Sequence, residues 1–158
     1  MFDLPGWTRN PGPLLIPFAD PAAYDLAVVH GFIDIVDFFN FELFADEFAL
    51  KVPGFDEPWG TDMLFQAIKS HYTAFPDWTH VIEDVVAEGE KVAVKLNQNG
   101  THEAEYEGIP ATGVEATLPA MHLFTVKNGK VVDWFAVEDY LGLYMQLGYE
   151  MKPKEGEK

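Results

Sequence analysis

The spacing of apolar residues changes once along this chain, and the change falls at Trp78. Before it, apolar side chains recur every three or four residues, as on one face of a helix. After it, they recur every second residue, as on one face of a strand. Few folds accommodate helices first and a run of strands afterwards. That order predicts an α+β chain, with N-terminal helices packed on a curved antiparallel sheet and a pocket left between the two layers.

The helical part reads as three pieces. Asp20 and Pro21 suit the start of a helix, and Leu26, Val29, Ile33 and Val36 carry it to about residue 39. Phe38, Phe39, Phe41, Leu43, Phe44 and Phe48 predict a second, short helical segment. Residues 51–59 are rich in Pro and Gly and read as a loop. Thr61 is expected to cap a third helix, in which Leu64, Ile68, Tyr72 and Phe75 share a face. Pro76 ends it.

The strand part begins with residues 81–87, a turn at Glu88-Gly89-Glu90, and a second strand on which Val92, Val94 and Leu96 alternate. Residues 101–107 alternate again, with Glu103, Glu105 and Glu107 opposed to His102, Ala104 and Tyr106. A turn at 108–113 leads to a long strand over 115–126. Asn128-Gly129 is a strong hairpin signal. Residues 131 to about 137 form the last strand, and a short helix ends at Gly148. The length of 158 residues suits one domain with a real core. We divide it into a proline-rich arm over 1–20, a single domain over 21–148, and a disordered tail over 149–158.

Composition removes several classes of function. The net charge of -16 opposes binding to phosphate backbones or anionic lipid, so neither nucleic acid nor membrane is an expected partner. The chain has no Cys, which excludes disulfides, thiolate zinc sites and Cys nucleophiles. The start, MFDLPGWTRNPGP, lacks a basic segment followed by an apolar run, so a cytoplasmic protein is expected. His102 stands among glutamates that face away from it, and no second His lies at ligand spacing. No metal and no cofactor is expected.

Two side chains stand out against apolar surroundings. Alternation puts His122 on one face with Ala116, Leu118, Ala120, Phe124 and Val126. It is either a core histidine with its hydrogen bonds satisfied or a member of a site. Asp139 stands where the last strand hands over to the last helix. It either caps that helix or does chemistry. The Asn128-Gly129 turn makes their two strands neighbours, so ring and carboxylate can share one cavity. Tyr72, Phe124 and Trp134 are candidate wall residues.

Phe75-Pro76-Asp77-Trp78, Ala87-Glu88-Gly89-Glu90-Lys91-Val92, Gly100-Thr101-His102, the 108–113 turn, His122-Leu123-Phe124, Gly129-Lys130-Val131, and Asp139 with Gln146-Leu147-Gly148 follow one another in an order that resembles the SnoaL-like polyketide cyclases. The resemblance implies a nuclear-transport-factor-2-like fold, an α+β barrel with a conical cavity. It implies a metal-free and cofactor-free intramolecular aldol closure of a polyketide ester. It also implies that Asp139 is the acid/base and that His122 lines the site. A small hydrophobic molecule with several carbonyl groups is then the expected substrate, and a homodimer or larger assembly the expected state. A related isomerase or hydrolase, or a small-molecule-binding protein without turnover, shares the fold and stays open at this point.

Overall fold

A computed structural model of the protein describes residues 43–150 and Lys152. The proline-rich arm, the helix expected over 20–39 and most of the tail lie outside the described residues. Strand β1 (Phe44–Lys51) comes first, then helix α1 (Thr61–Ala74), strands β2 (Thr79–Glu88), β3 (Lys91–Thr101), β4 (Glu115–Lys127) and β5 (Lys130–Glu138), and helix α2 (Tyr140–Gln146). The sheet order is β1-β5-β4-β3-β2, an open sheet with β1 and β2 at its edges. The α+β class read from the apolar spacing is the observed one, but among the described residues a strand precedes the first helix and pairs parallel, so the order of helices first and a purely antiparallel sheet is not seen.

Two local expectations are corrected. The expected short helix around Phe44 and Phe48 is a strand, and β1 pairs parallel with β5, matching Leu50 to Trp134. Phe44, Phe48 and Leu50 enter the core from one face of β1, as residues an even number apart on a strand do. A spacing of four fits one face of a helix and one face of a strand alike, so this edge strand imitates a helix in sequence. Residues 101–107 are not a strand beyond Thr101. The chain turns back at Glu107 and Gly108, both with positive φ, and Tyr106 and Ile109 exchange backbone hydrogen bonds of 2.9 Å.

Helix α1 starts after Gly60, which makes no side-chain cap, so Thr61 is the first helical residue and not the cap. The helix buries Leu64 and Ile68 against the sheet. Each such side chain contributes about 1.5–3 kcal/mol by leaving water. Phe75 and Trp78, just beyond the helix, pack a second cluster with Tyr106, Leu118 and Leu143. Gly100 permits that packing, because a Cβ there would lie 2.6 Å from the Trp78 ring.

The β4–β5 hairpin decides what the pocket contains. Asn128 and Gly129 both have positive φ, as a two-residue primed turn requires. Next to the turn, Val126 faces Val131. One step later the register shifts and Thr125 faces Asp133, leaving Val132 as an extra residue. That bulge reverses the alternation for the rest of β5. His122 is therefore opposite Ala136, and Ala120 is opposite Glu138. Trp134, Ala136 and Glu138 share the inner face with His122, whereas Phe135 and Val137 point outward and are exposed.

Candidate functional site

Between α1, the inner face of the sheet and α2 lies a cavity of about 390 Å³. Its walls are mainly apolar, with Leu50, Trp59, Ile68, Leu96 and Trp134 among the described lining residues. Into this lining project a few polar groups: His71, His80, Gln98, Tyr106, His122, Glu138 and Tyr140. Greasy walls with a small number of placed polar groups are the common form of a small-molecule site.

Glu138 is the centre of one polar group. Its Oε1 accepts from Gln98 Nε2 at 2.9 Å and from His122 Nε2 at 3.2 Å. Burial and this neighbouring carboxylate together raise the pKa of the Tyr140 hydroxyl. Gln98 is fixed in turn, because its Oε1 accepts from Trp78 Nε1 at 3.3 Å. Burial pushes the Glu138 pKa up, but the hydrogen bond and charge of the His122 ring, followed by the bond from Gln98, outweigh it and bring the value down to about 2. The group is an ionised carboxylate at neutral pH. The His122 ring also packs edge-on against Trp134, with centroids 5.0 Å apart. Its Nδ1 makes no hydrogen bond among the described residues. In the neutral ring, Glu138 thus selects the tautomer with the proton on Nε2 and the lone pair on Nδ1.

A second group sits on the helix side. His71 Nδ1 donates to the Ala67 carbonyl at 3.0 Å, which leaves Nε2 as an acceptor. The Tyr106 hydroxyl lies 2.9 Å from that nitrogen and the Tyr140 hydroxyl 3.5 Å. Burial lowers the pKa of His71 and raises those of Tyr106 and Tyr140, so all three are neutral near pH 7. His80 is held neutral too, brought down to about 4 by burial and by the nearby His122.

The expected site residues separate. His122, Tyr72 and Trp134 line the cavity. Phe124 is fully buried in the core and is not among the lining residues; its ring lies 5.3 Å from that of Trp134. Asp139 is exposed, and its Oδ1 accepts from the Gly142 N–H at 2.9 Å. It caps α2 and is not a wall residue; Glu138, one position earlier, occupies the cavity. The bulge at Val132 is the physical reason.

The residue pattern on β3 also carries a polar signal for the site. Gln98 continues the inward series Val92, Val94, Leu96 on β3, and a polar residue at an inward position calls for buried partners. Glu138 had no such mark, because β5 is apolar on both faces. Among the described residues, no three His, Asp or Glu side chains converge as metal ligands do. No helix among them is long and apolar enough to cross a membrane.

The profile of a family described as SnoaL-like polyketide cyclase matches residues 36–147. Two curated relatives are aklanonic acid methyl ester cyclases, DnrD of Streptomyces peucetius and DauD of Streptomyces sp. strain C5. Each is 37% identical over 84 residues, or 52% of this chain, and the match covers 58% and 52% of their own lengths. The chain thus matches little more than half the length of these relatives. Among solved structures, AclR of Streptomyces galilaeus superposes with a TM-score of 0.74 at 19% identity, covering 80% of this chain and 97% of that one. IdmH of Streptomyces antibioticus superposes with a TM-score of 0.71 at 23% identity, covering 79% and 99%. At such identities the superpositions establish the fold.

Proposed function

The chain belongs to the SnoaL-like polyketide cyclase family, and from that premise we propose that it closes a carbocyclic ring by an intramolecular aldol reaction in a hydrophobic, multi-carbonyl polyketide ester. The observation that carries this reading is the His122–Glu138 pair, 3.2 Å apart inside the cavity. In an aldol closure a C–H beside carbonyl groups loses its proton. The enolate carbon then bonds to a ketone carbon, and the carbonyl electron pair moves to oxygen. The alkoxide takes up one proton, so reactant and product are isomers and side chains alone can serve every proton transfer.

His122 is the base. Its Nδ1 lone pair takes the C–H proton, and the Glu138 carboxylate behind Nε2 stabilises the imidazolium that forms. The role expected of Asp139 thus passes to the pair of His122 and Glu138. Trp134, Tyr72 and the other apolar walls hold the chain folded with the reacting carbons close. That restriction supports several kcal/mol of rate enhancement, on the order of 7–11 in favourable intramolecular cases.

Aklanonic acid methyl ester, the compound in the printed names of both curated relatives, is the test substrate. The reading expects ring closure by the wild-type chain and its loss in His122→Ala with the fold retained by circular dichroism. Closure undiminished in that variant would end the role of His122.

We also propose self-association through the outer face of the sheet. Met121 is opposite Val137 and Leu123 opposite Phe135, and all four are exposed. A contiguous apolar patch of this kind favours an interface. Sedimentation at micromolar concentration should give a mass above one chain.

A further inference from the structure

The base is one half of an aldol closure; the other half is the acid that protonates the new alkoxide. Resting on the reading above, we infer that Tyr106 is that acid and that His71 positions its hydroxyl. Tyr106 is buried, lines the cavity, and has its hydroxyl 2.9 Å from His71 Nε2. His71 cannot donate in return, because its one ring proton goes from Nδ1 to the Ala67 carbonyl. The proton in this contact therefore belongs to the phenol.

Tyr140 is the competing candidate, and its geometry is the poorer one. Its hydroxyl lies 3.5 Å from His71 Nε2, against 2.9 Å for that of Tyr106. Burial and the neighbouring Glu138 carboxylate raise its pKa and hold its proton more tightly. The Tyr106 proton is held by a neutral imidazole and turns more easily to a developing alkoxide. Burial keeps Tyr106 in its phenol form, so it carries a proton to give at neutral pH. As the C–C bond forms, the phenol proton passes to the alkoxide oxygen and leaves a phenolate. When product departs, the Nδ1 proton gained by His122 returns to that phenolate through the water that fills the cavity. The protons then balance over one turnover.

The test separates the two halves with aklanonic acid methyl ester in D2O. Exchange of the acidic C–H for deuterium reads the base alone; ring closure reads base and acid together. Tyr106→Phe should keep exchange at the wild-type rate or above and close the ring at least tenfold more slowly, because an unprotonated alkoxide reverts. His71→Leu should show the same split more weakly, and His71→Gln, which retains an acceptor for the phenol, should recover most of the loss. His122→Ala should lose exchange and closure together. Closure at the wild-type rate in Tyr106→Phe, or exchange and closure falling in parallel, overturns the role of Tyr106 while the cyclase reading stands. If Tyr106→Phe fails to fold, the His71 pair decides by the same two rates. A wild-type chain that neither exchanges nor closes this substrate sinks the cyclase reading, and the assignment of Tyr106 goes with it.

Discussion

On the inner face of β5, Glu138 has a side chain 15% exposed and takes hydrogen bonds from His122 and Gln98. One residue further on, Asp139 stands in solvent on the other side and takes a single N–H from Gly142. Both are carboxylates, both adjoin α2, and they are neighbours in sequence. Their difference is environment. Inside the cavity, desolvation makes every donor to Glu138 count, so the surrounding groups set its protonation state and, through it, the tautomer of His122. Outside, water competes for the same bonds and a carboxylate does little more than satisfy a helix end. The same contrast divides the whole strand, with Trp134 and Ala136 facing the cavity and Phe135 and Val137 facing out.

The largest test of this contrast is in catalysis. Under the proposed mechanism, Glu138→Gln should lower the rate of ring closure by about 10²–10⁴-fold, because it removes the charge proposed to support the His122 imidazolium. Asp139→Asn should change the rate by less than about threefold, since that amide can still accept from the helix end. Equal losses in the two variants would erase the distinction between the faces.

Acid unfolding sharpens it next. The Glu138 pKa is about 2 in the fold, below its ordinary 4.5. A depressed carboxylate stabilises the fold above its unfolded value and loses that contribution as pH falls from 4.5 toward 2, here about 3 kcal/mol. His80, brought down to about 4 from 6.5, and His71, also lowered, act in a higher window. They must stay neutral in the fold, so their contribution is present above pH 6.5 and fades as pH falls toward their folded values. Melting followed from pH 7 to pH 2 should show both windows. Glu138→Gln should flatten the lower one, and Asp139→Asn should leave it unchanged.

A smaller effect concerns the cap. Asp139→Ala should cost about 1 kcal/mol of stability, read as a drop of a few degrees in Tm, with ring closure retained. The smallest is on the outer face, where Phe135→Ser should alter stability by less than about 0.5 kcal/mol. It should shift sedimentation toward a single chain and leave turnover unchanged. A fall in turnover there would mean that the outer face reaches the cavity.

Much of the architecture was legible in the residues. The periodicity of Leu64, Ile68 and Tyr72 located α1, and Asn128-Gly129 located the last hairpin. The alternation around His122 placed it inward, where the structure has it. Each of these signals is local, because a face or a turn is defined within a few residues. The failures share another cause. Phe44 and Phe48 lie four residues apart, a spacing that fits a helix face and a strand face alike, and pairing with β5, more than eighty residues away in the chain, makes their segment a strand. Tyr106, His71 and Tyr140 meet only because a loop, a helix and a helix start converge on one cavity.

What the sequence determined by itself was the α+β class, the charge and the inward position of His122, all consequences of short-range spacing and composition. Which carboxylate meets that histidine was decided by tertiary structure. Regular pairing outward from Asn128-Gly129 would turn Asp139 toward the cavity; the single extra residue Val132 reverses the alternation and turns Glu138 there instead. A strand has a period of two, so a shift of one residue exchanges its faces. Where both faces are apolar, only the pairing with the neighbouring strand can make that choice.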